Sequence, residues 1–583
     1  MMCKFLYFSL IILITTNIIN AQQYDSVFIN CPNTYDLYKN FPVEIELYKN
    51  GKLSYIDTEI DLNYADGEIN TIKVRKGKGS TQININEDQN STISIKGSTF
   101  SKTLYCNQSA IIELYDSLQN NLILEENKSY YISSDLIVPS SYKLTIGAGS
   151  RISIKENVNI IVDGIIQSDG GLNNPIIFDC NSPNKFWGGI IIKNDIDTSI
   201  FRHTFIINGG NDSQFSFGHS NSQPILFAEN SNLILDRCYF MDNIGKAIGS
   251  LKSNLLIKNC FISRCDTGGE FLTSKVEADS CHIMFIPDED GILEDDDNDG
   301  WYFNDVHPSG VESFVKNTYI ISTEDDGIDQ NKAKLRVENC WMEDCEHEGI
   351  ACSNNNYVKI NNCVFMNCGQ GVENGYGKAS VEVDHCLFLN NKVGVRFGDE
   401  YDILSEGKMY VTNSVFFNND DNILNFDPQI GGPIDNSLFV SYSLTNTIDY
   451  DNINNCISGI PLFNSDYILV ASSPGYLAGN DGYSMGLINS ITTIPQIALN
   501  NIFNIYPNPA SNILHINFNN IEDKEHQVSI LNTSGKIIKT WKFTNTTNYC
   551  TLNISDIKQG IYIIQYTNHK TTKSAKLLIE NEH

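Results

Sequence analysis

The sequence predicts an all-β chain of stacked coils, and three observations predict it. Cys238, Cys260 and Cys281 fall 22 and 21 residues apart, and Cys340, Cys363 and Cys386 fall 23 and 23 apart. The segments LLIKNCFISRC, LRVENCWMEDC, VKINNCVFMNC, VEVDHCLFLNN and MYVTNSVFFNN align on one pattern. Apolar residues alternate with polar ones, then come Cys or Ser, an aromatic position, and Cys or Asn, which marks strands with one side inward. A few residues on, Gly349, Gly371 and Gly394 each lead an apolar residue (Ile350, Val372, Val395) into the next strand. A unit of this length buries its apolar face only by stacking on its neighbours.

The chain opens with an apolar run from Phe5 to Ile14, followed by small and polar residues around Asn20 and Ala21. This reads as a signal peptide, residues 1–21, with cleavage after Ala21. No later run approaches the roughly 20 apolar residues of a membrane helix, so no transmembrane segment is expected. Cys3 precedes the apolar run, which argues against a lipid anchor. Residues 22–105 hold short alternating strands such as VEIELYKNGKLSYI and no helical period, the pattern of a small β-sandwich. Its expected role is a spacer or a cap over the open end of the coils.

Residues 106–488 carry the coils, 489–502 a linker, and 503–583 a separate C-terminal domain. The formal charge of −30 excludes nucleic acid as a partner and suits divalent cations. Sixteen cysteines would suggest a disulfide framework, but their regular spacing makes them a repeat. Cys260, Cys340, Cys363 and Cys386 form one column, and Cys265, Cys345, Cys368, Asn391 and Asn419 a second. The columns read as internal ladders of free thiols and small polar groups. Without a compact CxxC pair, a metal or redox role is the lesser reading. Cys31 and Cys106, which bracket the N-terminal region, are the one pair placed for a bridge.

Coils of this length and pattern resemble the right-handed parallel β-helix superfamily that includes pectate lyases, polygalacturonases and many surface proteins. LTIGAGSRISI, NPIIFDC and WGGIIIKN resemble its opening coils, and SSPGYLAGNDGYSMGLI resembles its closing segment. The predicted fold is therefore a right-handed parallel β-helix flanked by an N-terminal β-sandwich-like domain and a C-terminal β-sandwich sorting domain. The tail closely resembles the C-terminal sorting domain of the type IX secretion system. Tyr506, Pro507, Asn508, Pro509 and Ala510 match its opening, Gly535 its mid-hairpin turn, and Gly560, Ile561 and Tyr562 its penultimate strand. The resemblance implies transit through the periplasm and recognition by the type IX machinery. It further implies delivery to the outer cell surface or beyond.

Two features break the repeat. The coil between Cys281 and Thr318 spans 37 residues and contains DEDGILEDDDNDG. Asp295, Asp297 and Asp299 stand at alternate positions before Gly300, as in loops that carry calcium, with Asp288 and Asp290 as further oxygen ligands. Val306 stands where an EF-hand requires a bidentate glutamate, so an open calcium turn is expected. The second break is one extra residue at the glycine corner of two successive coils. Glu324, Asp325 and Asp326 precede Gly327, and Glu346, His347 and Glu348 precede Gly349. Stacking sets Asp326 over Glu348 and Asp325 over His347, and aligns Asp329 with Ala351, Glu373 and Arg396.

Carboxylates so close must bind a cation or shift their proton affinities, and a carboxylate beside a histidine is an acid–base pair. STEDDGIDQ resembles the first acidic motif of polygalacturonases. EDCEHEGIACS, however, has Glu346 and His347 where those enzymes place a paired aspartate, and Gln370 where they place a histidine. Their mechanism therefore does not transfer directly. A lyase would need calcium and a basic residue, for which Arg396 and Lys392 are candidates. The candidate catalytic set is Asp325, Asp326, Asp329, His347, Glu348 and Arg396. The expected function is action on polysaccharide as a lyase or glycoside hydrolase, the alternative being a non-catalytic carbohydrate-binding or adhesive surface protein. Trp301, Tyr302, Trp341 and Tyr376 are the candidate groove walls. A monomer is expected.

Overall fold

The structure, a computed structural model, describes residues 24–37, 39–65, 67–107, 110–193, 197–286, 297–399 and 403–488. In the tail it describes residues 503–506, 510, 512–518, 526–532, 536–543, 549–568 and 572–579. The predicted signal peptide and linker, together with Asp288, Asp290 and Asp295, lie outside the described residues.

Each full coil contributes three strands. In one coil these are Leu335–Glu338, Trp341–Cys345 and Glu348–Asn354. The first two kinds of strand merge into one 24-stranded sheet, and the third kind forms a separate 12-stranded parallel sheet. The first two strands of a coil meet at a left-handed residue. Asn317, Asn339 and Asn362 occupy that place with φ of 51°, 55° and 51°, a conformation asparagine tolerates. Their amides also bond along the axis, Asn362 Nδ2 donating to Asn339 Oδ1 at 2.8 Å.

The expected ladders form. The Cys281 N–H donates to Thr318 Oγ1 at 3.3 Å, Cys340 N–H to Cys363 Sγ at 3.5 Å and Cys386 N–H to Ser414 Oγ at 3.2 Å. In the second column, the Cys368 N–H donates to Asn391 Oδ1 and the Asn391 N–H to Asn419 Oδ1, both at 2.9 Å. All fifteen cysteines among the described residues are free thiols. The Cys31–Cys106 bridge is therefore corrected: Cys31 is buried in the sandwich core and Cys106 pairs with Tyr35 along a strand, each as a thiol.

Glycine at the corner serves close approach. A Cβ on Gly300, Gly327 or Gly349 would lie 2.4, 2.6 or 2.7 Å from the carbonyl oxygen of the glycine one coil on. No side chain fits there.

The interior is a continuous apolar column that includes stacked Phe365, Phe388 and Phe416, with ring centroids 5.0 and 4.7 Å apart. A second apolar cluster lies on the outside of the long sheet, where Phe205, Tyr239, Phe261, His282, Tyr319 and Trp341 stand in register. Two segments cover it. The N-terminal β-sandwich, two sheets around Phe41, Val43, Ile45 and Leu62, lies along this flank. Tyr55 stacks on Tyr319 at 5.4 Å, and Arg75 reaches Glu343 at 2.9 Å and Asp344 at 2.7 Å. Arg151 of an early coil meets Asp36 at 3.2 Å. The domain thus spans several coils along the side, which corrects the expected cap over the open end. The aromatic column gives the domain an apolar surface to cover on this flank.

The closing segment covers the rest of the flank. The Ile488 N–H donates to Asn362 Oδ1 at 2.9 Å, and His385 bonds to the Gly486 carbonyl at 3.0 Å and Asp481 at 2.9 Å.

The tail forms a second compact unit. It holds a three-stranded and a four-stranded antiparallel sheet around Leu514, Ile516, Val528, Ile530, Leu552, Ile564 and Leu577.

Candidate functional site

The corner preceding each glycine and the first outward position of the 12-stranded sheet run side by side along the axis. The corner column reads Asp299, Asp326, Glu348, Gln370. The Gly300 N–H donates to the Asp326 carbonyl and the Gly327 N–H to the Glu348 carbonyl, both at 2.8 Å, and Glu348 pairs with Gln370. The strand column reads Glu270, Tyr302, Asp329, Ala351, Glu373, Arg396. Parallel coils repeat every ~4.8 Å, so the two columns together form an acidic stripe that climbs one residue per coil.

Hydrogen bonds fix the corner. The Asp326 N–H donates to Asp299 Oδ1 at 3.2 Å, and the Glu348 N–H to Asp326 Oδ1 at 2.8 Å. Gln370 Nε2 donates to Glu348 Oε1. His347 Nδ1 lies 3.1 Å from Asp325 Oδ1, 3.0 Å from Glu348 Oε2 and 4.0 Å from Asp326 Oδ1. Asp325 and Asp329 are half-buried, whereas Asp299, Asp326 and Glu348 are buried.

Burial is the main cause that raises the proton affinity of Asp299, Asp326, Asp329, Glu348 and Glu373, and their neighbours' charges add to it. Asp299 and Asp326 are held well above the usual carboxylate range, Asp299 further by Asp325 and Asp326, and Asp326 further by Glu348 and Asp325. Glu348 is raised by burial and by Glu373. Asp329 is pushed up to about 8 by burial and Asp325, and Glu373 to about 7 by burial and Asp399. The hydrogen bond to Asp325 lifts His347 to about 9. At neutral pH the stripe therefore offers an imidazolium and a half-exposed carboxyl that still carries its proton.

Asp325, Asp326 and His347 are the group whose ligand atoms lie within 4.8 Å of one another among the described residues. Asp297 and Asp299, the two described members of the expected calcium turn, engage different partners. Asp297 Oδ2 is 2.8 Å from His219 Nδ1, while Asp299 accepts the Asp326 N–H. A calcium ion takes oxygen ligands, and the converging group contains a nitrogen.

Three expectations are corrected. Arg396 is only 7% exposed and faces Glu373 Oε2 at 3.8 Å, so a buried ion pair replaces an open base. Trp301 lies inside the helix against Phe271 and Phe303, because it follows the corner glycine into the inward position. Trp341 lies on the other flank beneath Lys76 and Tyr467. Tyr376 is half-buried beside the stripe, whereas Tyr302 stands in its line but is only 2% exposed, with the His219 ring stacked on it. Asn331 Nδ2 donates to both hydroxyls, at 3.3 and 3.5 Å.

Family models match three segments of the chain. Residues 116–205 match a pectate-lyase like β-helix domain, residues 293–416 a right-handed β-helix region, and residues 504–580 a secretion system C-terminal sorting domain. The chain is an exported right-handed β-helix protein. Its sorting domain directs this β-helix protein through the type IX machinery to the cell surface or beyond. Among the described residues, no helix is long and apolar enough to cross a membrane.

A comparison with curated proteins finds no match. Among solved structures, the full-length tailspike protein 2 of Escherichia coli O157:H7 bacteriophage CAB120 is similar at 10% identity. The similarity covers 90% of this chain and 75% of that one, at a TM-score of 0.14, too low to carry a structural or functional parallel.

Sequence reasoning missed His219, Glu270, Lys246 and Asp399. Lys246 is fully buried, 3.3 Å from Glu270 Oε2, and the Tyr376 N–H donates to Asp399 Oδ2 at 3.2 Å. A signal for His219 was present. The register pairs Thr198 with Asn232, 34 residues on, whereas Asn232 pairs with Asn254, 22 on. A second excursion therefore leaves the helix there.

Proposed function

We propose that this exported β-helix protein acts on polysaccharide outside the cell and cleaves a glycosidic bond over the acidic stripe. The observation that supports this reading is Asp329, a half-exposed carboxyl raised to about 8 and set in line with Tyr302 and Glu373. A carboxylic acid that keeps its proton at neutral pH can protonate the leaving oxygen of a glycoside. The neighbouring Asp325–His347 pair supplies the second proton-handling group. Asp326 and Glu348 lie beneath and hold the geometry. Calcium enters this reading as a counter-ion for the stripe, with Asp297 and Asp299 among its neighbours, and no step is routed through it.

The non-catalytic reading, a carbohydrate-binding or adhesive surface protein, is favoured by one observation. Trp301, Tyr302 and Trp341 are buried, which leaves half-buried Tyr376 as the candidate aromatic border. The deciding measurement is product release from uronate-rich and neutral polysaccharides by the native protein and by Asp329→Asn. Product from the native protein alone supports the enzyme. Binding without product from either assigns the protein to the second reading.

A further inference from the structure

The excursion Gly209–Gln223 is built to a fixed shape. At its base Asn159 Nδ2 donates to Asp212 Oδ2 at 2.8 Å, Gln223 Nε2 donates to Asn159 Oδ1 at 2.9 Å, and the Asp212 N–H donates to Gln223 Oε1 at 2.6 Å. Near its tip the hydroxyls of Ser220 and Ser222 donate to Asp266 Oδ2 and accept from Lys246 Nζ. The His219 N–H lies 2.8 and 3.0 Å from the two oxygens of Glu270. Gly218, at φ +77°, lies so close to this carboxylate that a Cβ would sit 2.0 Å from its oxygens. Only glycine lets the loop come down there.

Burying Lys246 and Glu270 carries a desolvation cost, and what the pair holds is this loop. The loop in turn carries an imidazole that is 54% exposed on its side chain. That ring stacks on Tyr302 at 5.3 Å, with Nδ1 2.8 Å from Asp297 Oδ2. A carboxylate on Nδ1 fixes the ring's orientation and leaves Nε2 as the nitrogen turned to a ligand. Tyr302 precedes Asp329 by one coil, and the His347 corner follows one coil later. Two imidazoles, each with Nδ1 on an aspartate, therefore stand on either side of Asp329 along the axis.

We infer that His219 is a ligand-binding residue of the stripe, whose Nε2 hydrogen-bonds to a hydroxyl of a polysaccharide lying beside His219 and Asp329. The inference rests on the polysaccharide reading above and adds the residue that holds the chain on the N-terminal side of the reacting bond. The recognised group is a sugar hydroxyl, which can pair with Nε2 as donor or as acceptor.

The test is titration calorimetry of neutral and uronate oligosaccharides against the native protein, His219→Ala and His219→Gln, with melting curves of all three. Oligosaccharides bound by the native protein should bind His219→Ala roughly three- to tenfold more weakly, the scale of one hydrogen bond. His219→Gln, which keeps a donor, should recover part of the loss, and melting should be unchanged. A loss shared by neutral and uronate ligands is the expected result, and a loss confined to uronate ligands overturns the hydroxyl assignment. Equal affinity of native protein and His219→Ala overturns the inference and leaves the polysaccharide reading in place. Loss of binding with a lowered melting temperature and no recovery in His219→Gln also overturns it. A native protein that binds no member of the panel overturns both.

Discussion

His347 stands one coil beyond Asp325, with Nδ1 3.1 Å from Asp325 Oδ1. This pair predicts a pH dependence. The histidine is raised to about 9 in the folded protein, above the ~6.5 of an unfolded chain. Its contribution is therefore fully present below about pH 6.5 and is lost as pH rises through about 9. The side chain is 58% exposed, so solvent screening keeps the effect under ~1 kcal/mol. Polysaccharide cleavage should vanish in His347→Ala while melting at pH 7 changes little. Unaltered turnover and binding would leave the corner as ordinary acidic surface.

Asp329 predicts the opposite slope to an ordinary surface carboxylate. It keeps its proton to about pH 8 when folded and loses it near pH 4 when unfolded. Between those values the folded state binds the extra proton, so stability falls as pH rises. Melting curves from pH 5 to 9 should decline in the native protein and decline less steeply in Asp329→Asn, in which the other raised groups still titrate. A slope equal in both would dismiss the shift.

Calcium should raise the melting temperature, more at pH 8 than at pH 5, by the mass-action term set by its dissociation constant. Asp297→Ala should lose that gain. No shift between calcium and chelator in the native protein would end the metal reading.

Arg75 ties the N-terminal sandwich to the helix through Glu343 and Asp344, with Lys76 2.7 Å from Glu343 as a second partner. Arg75→Ala should cost about 3 kcal/mol in denaturant unfolding, because it leaves buried Glu343 with half its compensation. A midpoint equal to the native one would show that the flank contact carries no stability.

The ladders predict free thiols. Labelling the unfolded, unreduced protein should approach the fifteen cysteines of the described residues, and a count near zero would mean the columns are bridged. Deleting the chain after Asn500 should leave a folded protein in the periplasm. Finding that truncated protein on the cell surface would remove the tail's sorting role.

The sequence by itself determined the coil, because in a β-helix the step along the axis is a sequence interval. Cys340, Cys363 and Cys386 are in register because they are 23 residues apart. The same arithmetic set Asp326 against Glu348, and Asp329 in line with Glu373 and Arg396. The sorting tail was legible as well, since its motifs are local.

Only the tertiary structure decided what lies across the coils. Nothing periodic in the sequence tells which outer face the N-terminal sandwich covers, so Trp341 looked like a groove wall and is a packed flank residue. Trp301 faces inward because the excursion before it returns to the helix at Gly300, and Arg396 is closed off by Glu373 on the adjacent coil. His219 reaches the stripe through a loop held by Glu270 and Lys246, which lie 51 and 27 residues further along the chain. Stacking is a short-range rule that repeats with each turn, whereas loops and flanking domains are fixed by single long-range contacts that the sequence states once and without a period.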